Sequence, residues 1–440
     1  MTDPVRPAEA AGGPLRPAAG LRLLGEYQGS GFTEPRYLVR RPDGQVIQLS
    51  RLLYLVTEAI AEGGTSDGNG GWDAGQVAAR AGASFGREIT AENVRYLVTD
   101  KLAPLGVVVT GEPQPQPQTQ AQPQAGQTAP PHGTPDPPPR SNLLLGLKAR
   151  GVLLPPRAAN AVGRALAWLH YPALAGMVLT EFIVFEVWLF AVHGAISPLL
   201  DVERQPVLLL AVAGLTLASL LFHEFGHASA CRYGGARPGA IGYGLYLVWP
   251  SLYTDVTDVY RLGRAGRLRT DLGGVYFNAI FILVLGACYA ATGQPVFLAA
   301  AFLDNLQILQ QLAPLVRMDG YFILGDLAGV PDLLGLLGPI MASLLPGSAA
   351  RRVGARVRGL RRGPRLLVTG WVLVAVPLLV ALVGYTLWHL PSIVSTATRS
   401  FSSGLAAARA GFGTGHPAAG LTAGLGVVLL LAPLAGLAYL

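Results

Sequence analysis

Residues 206–229 read PVLLLAVAGLTLASLLFHEFGHAS. From Pro206 to Phe222 no residue is charged, and then His223, Glu224 and His227 follow within one helical turn and a half. About 20 apolar residues in helical form cross the ~30 Å hydrocarbon layer of a bilayer. Ionisable groups at the end of such a helix are expensive unless they are paired or ligated. Two histidines four residues apart are offset by about 40° around a helix, so both imidazoles can reach one metal ion. Glu224 falls beside them and can take a proton from metal-bound water. A catalytic zinc takes three protein ligands and keeps a fourth position for water, whose pKa it lowers to about 7. The alternative is that the three groups merely sit at a wet helix end.

The rest of the chain fits the membrane reading. Of 440 residues, 51% are hydrophobic and 13% charged, against about 25% charged in an ordinary globular chain. Two cysteines, Cys231 and Cys288, exclude a disulfide scaffold. Apolar stretches lie at about 172–194, 206–229, 272–292, 295–316, 366–389 and 420–440. The segment 321–346 is interrupted by Asp326, Pro331, Asp332, Gly335 and Gly338, which reads as broken or re-entrant helices. The expected fold class is therefore an α-helical polytopic membrane protein of about six spans plus that broken segment, with a small α+β domain ahead of it.

The net charge of +7 comes almost wholly from arginine. Arg261, Arg264, Arg267 and Arg269 crowd one inter-span loop, and seven arginines from Arg351 to Arg365 crowd another. Clusters between apolar stretches mark cytoplasmic loops. This places the chain in the plasma membrane, with the N-terminal domain and the C-terminus in the cytoplasm. A nucleic-acid partner is not expected: the one helix suited to read a groove, 91–102, offers Arg95 and Lys101 against Glu92 and Asp100. The lipid bilayer is the expected surrounding.

Residues 1–24 are Pro/Ala/Gly-rich and read as a flexible start without a cleavable signal. Residues 25–110 read as a small domain: extended runs at Tyr37–Arg41 and Gln45–Leu49 around a Pro42-Asp43-Gly44 turn, a helix capped by Ser50, helices over Ala74–Ala81 and Ala91–Leu102, and a closing strand near Gly106–Thr110. This is a winged-helix-like order. Residues 111–142 are Pro/Gln repeats that cannot bury apolar surface, hence a linker. Residues 143–440 form the membrane domain.

The third ligand has to come from elsewhere. From Pro206 to His223 a helix rises about 26 Å of the ~30 Å core, so the histidines lie near the cytoplasmic face. Asp319, in Val316-Arg317-Met318-Asp319-Gly320-Tyr321, follows a later span at that same face. It could instead cap a helix, and Cys231 is a competing ligand. An H-E-x-x-H at one span's end, an Asp-Gly after a later one, and Gly273-Gly274-Val275-Tyr276-Phe277-Asn278 between them resemble the site-2 protease family of intramembrane zinc metalloproteases. Met318-Asp319-Gly320-Tyr321-Phe322-Ile323-Leu324 is similar to its peptide zinc metalloprotease branch. The resemblance covers about residues 165–345. It implies one catalytic Zn2+ held by His223, His227 and Asp319, Glu224 as general base, and Asn278 as a catalytic-site group, either supporting or oxyanion-side.

Between the metal helix and the next span, Ile241–Pro250 is too short to cross and reads as a hairpin whose edge could hold a peptide extended. Tyr37-Leu38-Val39-Arg40-Arg41 with Gln48-Leu49-Ser50 looks like the PqqD-like peptide-recognition fold, which implies capture of a peptide substrate such as a ribosomally made precursor or its leader. A module that only captures would be dispensable for cleaving a short peptide. The expected function is a membrane zinc endopeptidase in which Glu224 assists attack of zinc-bound water. The rival is a non-catalytic export or immunity partner that retains a structural metal site.

Overall fold

Arg36–Arg40 and Val46–Ser50 form two strands that bury Leu38, Val39 and Leu49. In the computed structural model, which describes residues 15–42, 46–63, 72–110, 148–203, 205–246, 249–344 and 355–439, the chain falls into two units. One comprises Met1–Tyr27 with Pro35–Ser141, the other Gln28–Glu34 with Asn142–Leu440. The linker 111–142 and the tip of the turn at 43–44 lie outside the described residues.

In the first unit, β1 (Leu15–Pro17) pairs antiparallel with β5 (Val108–Thr110), while β2 (Arg22–Glu26), β3 (Arg36–Arg40) and β4 (Val46–Ser50) form an antiparallel sheet in that order. Between them run α1 (Arg51–Gly63), α2 (Ala74–Phe85) and α3 (Ala91–Leu97), the last prolonged by a wide turn over Val98–Leu102. The flexible start expected through residue 24 is corrected: Leu15 is already in a strand and β2 begins at Arg22. A three-residue strand carries too little alternation to be read from sequence. The start of α2 has a local cause. Asp73 Oδ1 accepts from Gln76 N at 2.7 Å and Gln76 Oε1 accepts from Asp73 N at 3.1 Å, a reciprocal cap. Val39, Val56, Ile60, Val77, Val94 and Leu102 close an apolar core.

The second unit is mainly helical. In order come β6 (Lys148–Leu154), α4 (Pro156–Leu166), α5 (Pro172–Val187), α6 (Ser197–Glu203), α7 (Pro206–Tyr233), β7 (Ile241–Tyr246), β8 (Trp249–Thr254), α8 (Arg264–Asp271), α9 (Gly273–Thr292) and α10 (Pro295–Leu312). Then follow α11 (Asp319–Ala328), α12 (Leu334–Leu344), α13 (Ala355–Arg358), α14 (Arg362–Gly413) and α15 (Pro417–Tyr439). The hairpin expected at 241–250 forms, and β6 joins it as a third strand in the order β6–β7–β8. The 321–346 segment is broken at Gly329, which takes φ +65° and ends α11.

Of the six spans expected, four are matched among the described residues by helices long and apolar enough to cross a membrane, 172–193, 206–233, 273–292 and 362–413. α10 falls short because Asp304, Asn305, Gln307, Gln310 and Gln311 dilute its apolar character. Of α15, the side chains are described only as far as Leu431. α14 does not stop where its apolar stretch does; it continues to Gly413, because the Ser/Thr/Ala-rich sequence beyond Pro391 holds few breakers. α5 has no buried residue, as expected of a helix facing lipid.

α7 and α9 meet through glycine. A Cβ on Gly226 would lie 2.2 Å from the Gly273 carbonyl oxygen, and one on Gly273 would lie 2.6 Å from the Gly226 oxygen. Only glycine lets the two backbones approach this closely.

Candidate metal centre

One face of α7 carries His223 and His227, and α9 packs directly beneath it. At Gly274 a Cβ would fall 2.4 Å from His223 Nε2 and 2.6 Å from His227 Nε2. The space that glycine leaves open is thus the space between the two imidazole nitrogens. Asp319 reaches the same place from the first residue of α11. The helix cap is Met318, so Asp319 is not the capping residue and its carboxylate is free to turn to the histidines. Ligand atoms of His223, His227 and Asp319 lie within 4.8 Å of one another.

Hydrogen bonds fix which nitrogens face inward. Asn278, fully buried on α9, donates from Nδ2 to Asp304 Oδ1 at 2.6 Å and Ser219 Oγ at 3.1 Å. A carboxylate accepts only, so the amide must present Oδ1 to His223, whose Nδ1–H donates to it. His227 Nδ1–H donates to the Thr270 carbonyl at 2.8 Å. In the neutral rings, as a metal would bind them, this leaves lone pairs on both Nε2 atoms, which stand 3.1 Å apart. Asp319 Oδ2 lies 3.1 Å from His223 Nε2, and Oδ1 lies 3.4 Å from His227 Nε2. With His223 Nε2 unprotonated, the first contact is not a hydrogen bond, and Asp319 Oδ2 is a buried oxygen without a hydrogen-bond partner among the described residues.

Two imidazole nitrogens and a carboxylate converging in this way form a donor set that could hold a cation. A tetrahedral zinc at ~2.0–2.1 Å from each donor would space them ~3.3 Å apart, close to the separations found. The residues fit the ion.

Glu224 is buried beside this group, and its Oε2 accepts from Thr254 Oγ1 at 2.6 Å. Thr254 ends β8, so the sheet terminates at the carboxylate. Both Asn278 amide hydrogens are engaged, with Asp304 and Ser219, while its Oδ1 meets His223 Nδ1. Cys231 packs with Ala236 and Val259 and takes no part in the cluster. Sequence reasoning does not find Thr254, Ser219 or the Thr270 carbonyl as site groups. Asp304 had a signal, an acid in an apolar stretch; a backbone carbonyl has none.

Over 110 residues the chain is 28% identical to a protein of Bacillus subtilis (strain 168) named "Putative peptide zinc metalloprotease protein YydH". The match covers 24% of this chain and 44% of that relative. Less than half the relative's length is thus spanned. No family model matches the chain, its N-terminal unit included, and no solved structure matches it.

Proposed function

We propose that the chain is a membrane-embedded zinc endopeptidase of site-2 protease type, acting on a ribosomally made or membrane-associated peptide. The observation that carries the reading is the convergence of the His223, His227 and Asp319 lone pairs beside the Glu224 carboxylate, at the end of an apolar helix. Zinc, when bound, would lower the pKa of a water to about 7 and polarise a carbonyl. Glu224 accepts the proton released as water adds to the scissile carbonyl, and returns it to the leaving amine nitrogen as the C–N bond breaks. The Thr254 hydroxyl holds Oε2 and so fixes the plane of the carboxylate. β8 pairs only with β7 among the described strands. Its outer edge can hold a peptide extended, with its backbone groups paired, up to the residue that meets Glu224. The arginine clusters support a reading in which this end of α7 lies at the cytoplasmic face of the plasma membrane, where the N-terminal unit would capture the peptide or its leader.

The test is metal content with peptide cleavage by the detergent-purified chain. Glu224→Gln should keep zinc and lose cleavage by a factor of a thousand or more, as removal of a general base does at its upper range. Full cleavage by that variant with zinc bound would overturn the role of Glu224. Cysteines placed at 265 and 355 should resist an impermeant thiol reagent applied outside intact cells. Labelling at 265 would invert the orientation.

A further inference from the structure

Asp319 opens α11, a helix of 10 residues and so about 15 Å long. What holds its far end decides where the third ligand points. That end is met by Gln28–Glu34, the short segment that belongs to the second unit although the chain on both sides of it belongs to the first. Gly31 N donates to the Gly329 carbonyl at 2.8 Å. The approach is backbone on backbone: a Cβ on Gly31 would lie 2.0 Å from the Ala328 oxygen, and one on Gly329 would lie 2.3 Å from the Gly29 oxygen. On its other side the segment is tied to the start of α14, with Arg361 N donating to Gly31 O and Thr33 N to Gly359 O, each at 2.8 Å. Phe32, buried, joins Ala328, Leu333, Leu360 and Trp371 in one apolar cluster.

A single buried cation completes the link. Arg267 on α8 is fully buried and donates from Nε to Asp326 Oδ1 on α11 at 2.8 Å, from Nη1 to Leu262 O at 2.9 Å and from Nη2 to Gln28 O at 3.1 Å. A guanidinium out of water needs its donors matched, and Gln28 supplies one of the acceptors. α8 also carries Thr270, whose carbonyl orients His227. The helix behind His227, the helix bearing Asp319 and the 28–34 segment therefore share one buried charge.

We propose that Gln28–Glu34 is a positioning element of the metal centre, a strap that fixes α11 and thereby the aim of Asp319. The proposal rests on the zinc reading above. It changes what the N-terminal sequence does: removing residues 1–110 would take away part of the metal site along with any capture module.

The experiment uses the full chain and the metal alone. Zinc affinity is measured by chelator competition, and the cobalt(II)-substituted chain is followed by its visible absorption, which reports ligand geometry. Gly31→Ala should lower zinc affinity tenfold or more, as loss of groups that orient metal ligands does, and should alter the cobalt spectrum. Arg264→Ala, which removes an exposed Nη2 contact to Gly29 O at 2.7 Å, should lower affinity a few-fold with the fold intact. Glu88→Gln, at an exposed position outside the segment, should change neither. A folded Gly31→Ala chain with wild-type affinity and spectrum overturns the strap; if that variant does not fold, an unchanged Arg264→Ala chain overturns it. Zinc retained in full by His223→Ala would instead remove the metal reading beneath it.

Discussion

Polar side chains in the α7–α9–α10 centre and those along α14 solve the same low-dielectric problem in opposite ways. In the centre they bond across helices: Ser219 on α7 and Asn278 on α9 both donate to Asp304 on α10, and Asn278 in turn holds His223. Along α14 they bond back to their own helix. Thr386 donates to Leu382 O, Ser392 to His389 O, Ser395 to Ser392 O and Thr398 to Val394 O. A hydroxyl that satisfies itself on the preceding turn asks nothing of a neighbour. One that needs a partner on another helix fixes how the two helices sit. The difference teaches that an apolar composition says where a helix lives, while the reach of its few polar groups says whether it is machinery or scaffold.

The largest effect should come from filling the space between the imidazoles. Gly274→Ala places a methyl group where the metal would bind, so bound zinc and cleavage should both be lost, read by metal analysis on a monodisperse sample. A variant that keeps full zinc would show that the lone pairs converge for another reason. Asn278→Ala and Asp304→Asn should come next. Each loosens His223 without removing it, and a 10–100-fold loss of zinc affinity is expected. Equal affinity in both variants would put the centre and α14 on the same footing.

A smaller effect separates a buried ring near α7 from the metal ligands. His170 Nε2 donates to Ser229 Oγ at 2.8 Å, and the ring packs against Tyr233, Tyr276 and Phe277. Burial first, and Arg269 second, push its pKa down to about 4. The folded chain keeps this ring neutral, while the unfolded chain protonates it below about 6.5. Stability should therefore fall progressively as pH drops from about 6.5 to about 4. His170→Gln should flatten that part of a thermal-unfolding series; an unchanged slope would show that other groups carry the dependence. The smallest effect belongs to α14: Thr398→Val should shift stability by no more than about 0.5 kcal/mol, and a larger shift in the unfolding midpoint would break the contrast with the centre.

How much of this could be read beforehand follows from the range of each interaction. His223 and His227 are spaced by the helix itself, so their shared face was legible in five letters of sequence. Asp319 was reachable through topology, since two span ends on one side of a bilayer must be neighbours in depth. The bond from Thr254 to Glu224 and the hold of Thr270 O on His227 depend on where β8 and α8 come to rest, and no local pattern encodes that. β6 was hidden because Lys148–Leu154 opens as a basic run and alternates poorly. The span count is least legible at α10, where side chains that bond across helices lower the hydropathy, and the end of α14 is hidden because helix propensity carries the chain past its apolar stretch.

The contact between Gly226 and Gly273 also limits how this chain can change. Each would press its new Cβ on the other's carbonyl oxygen, so a substitution at one has no compensating substitution at the other: enlarging both only doubles the clash. Most packed pairs can drift by trading volume, a larger residue on one side for a smaller one opposite. This pair has no smaller residue left to trade. Any variant that keeps α7 against α9 at this distance must therefore keep both glycines, and a library randomised at the two positions together should return active chains only as the starting pair.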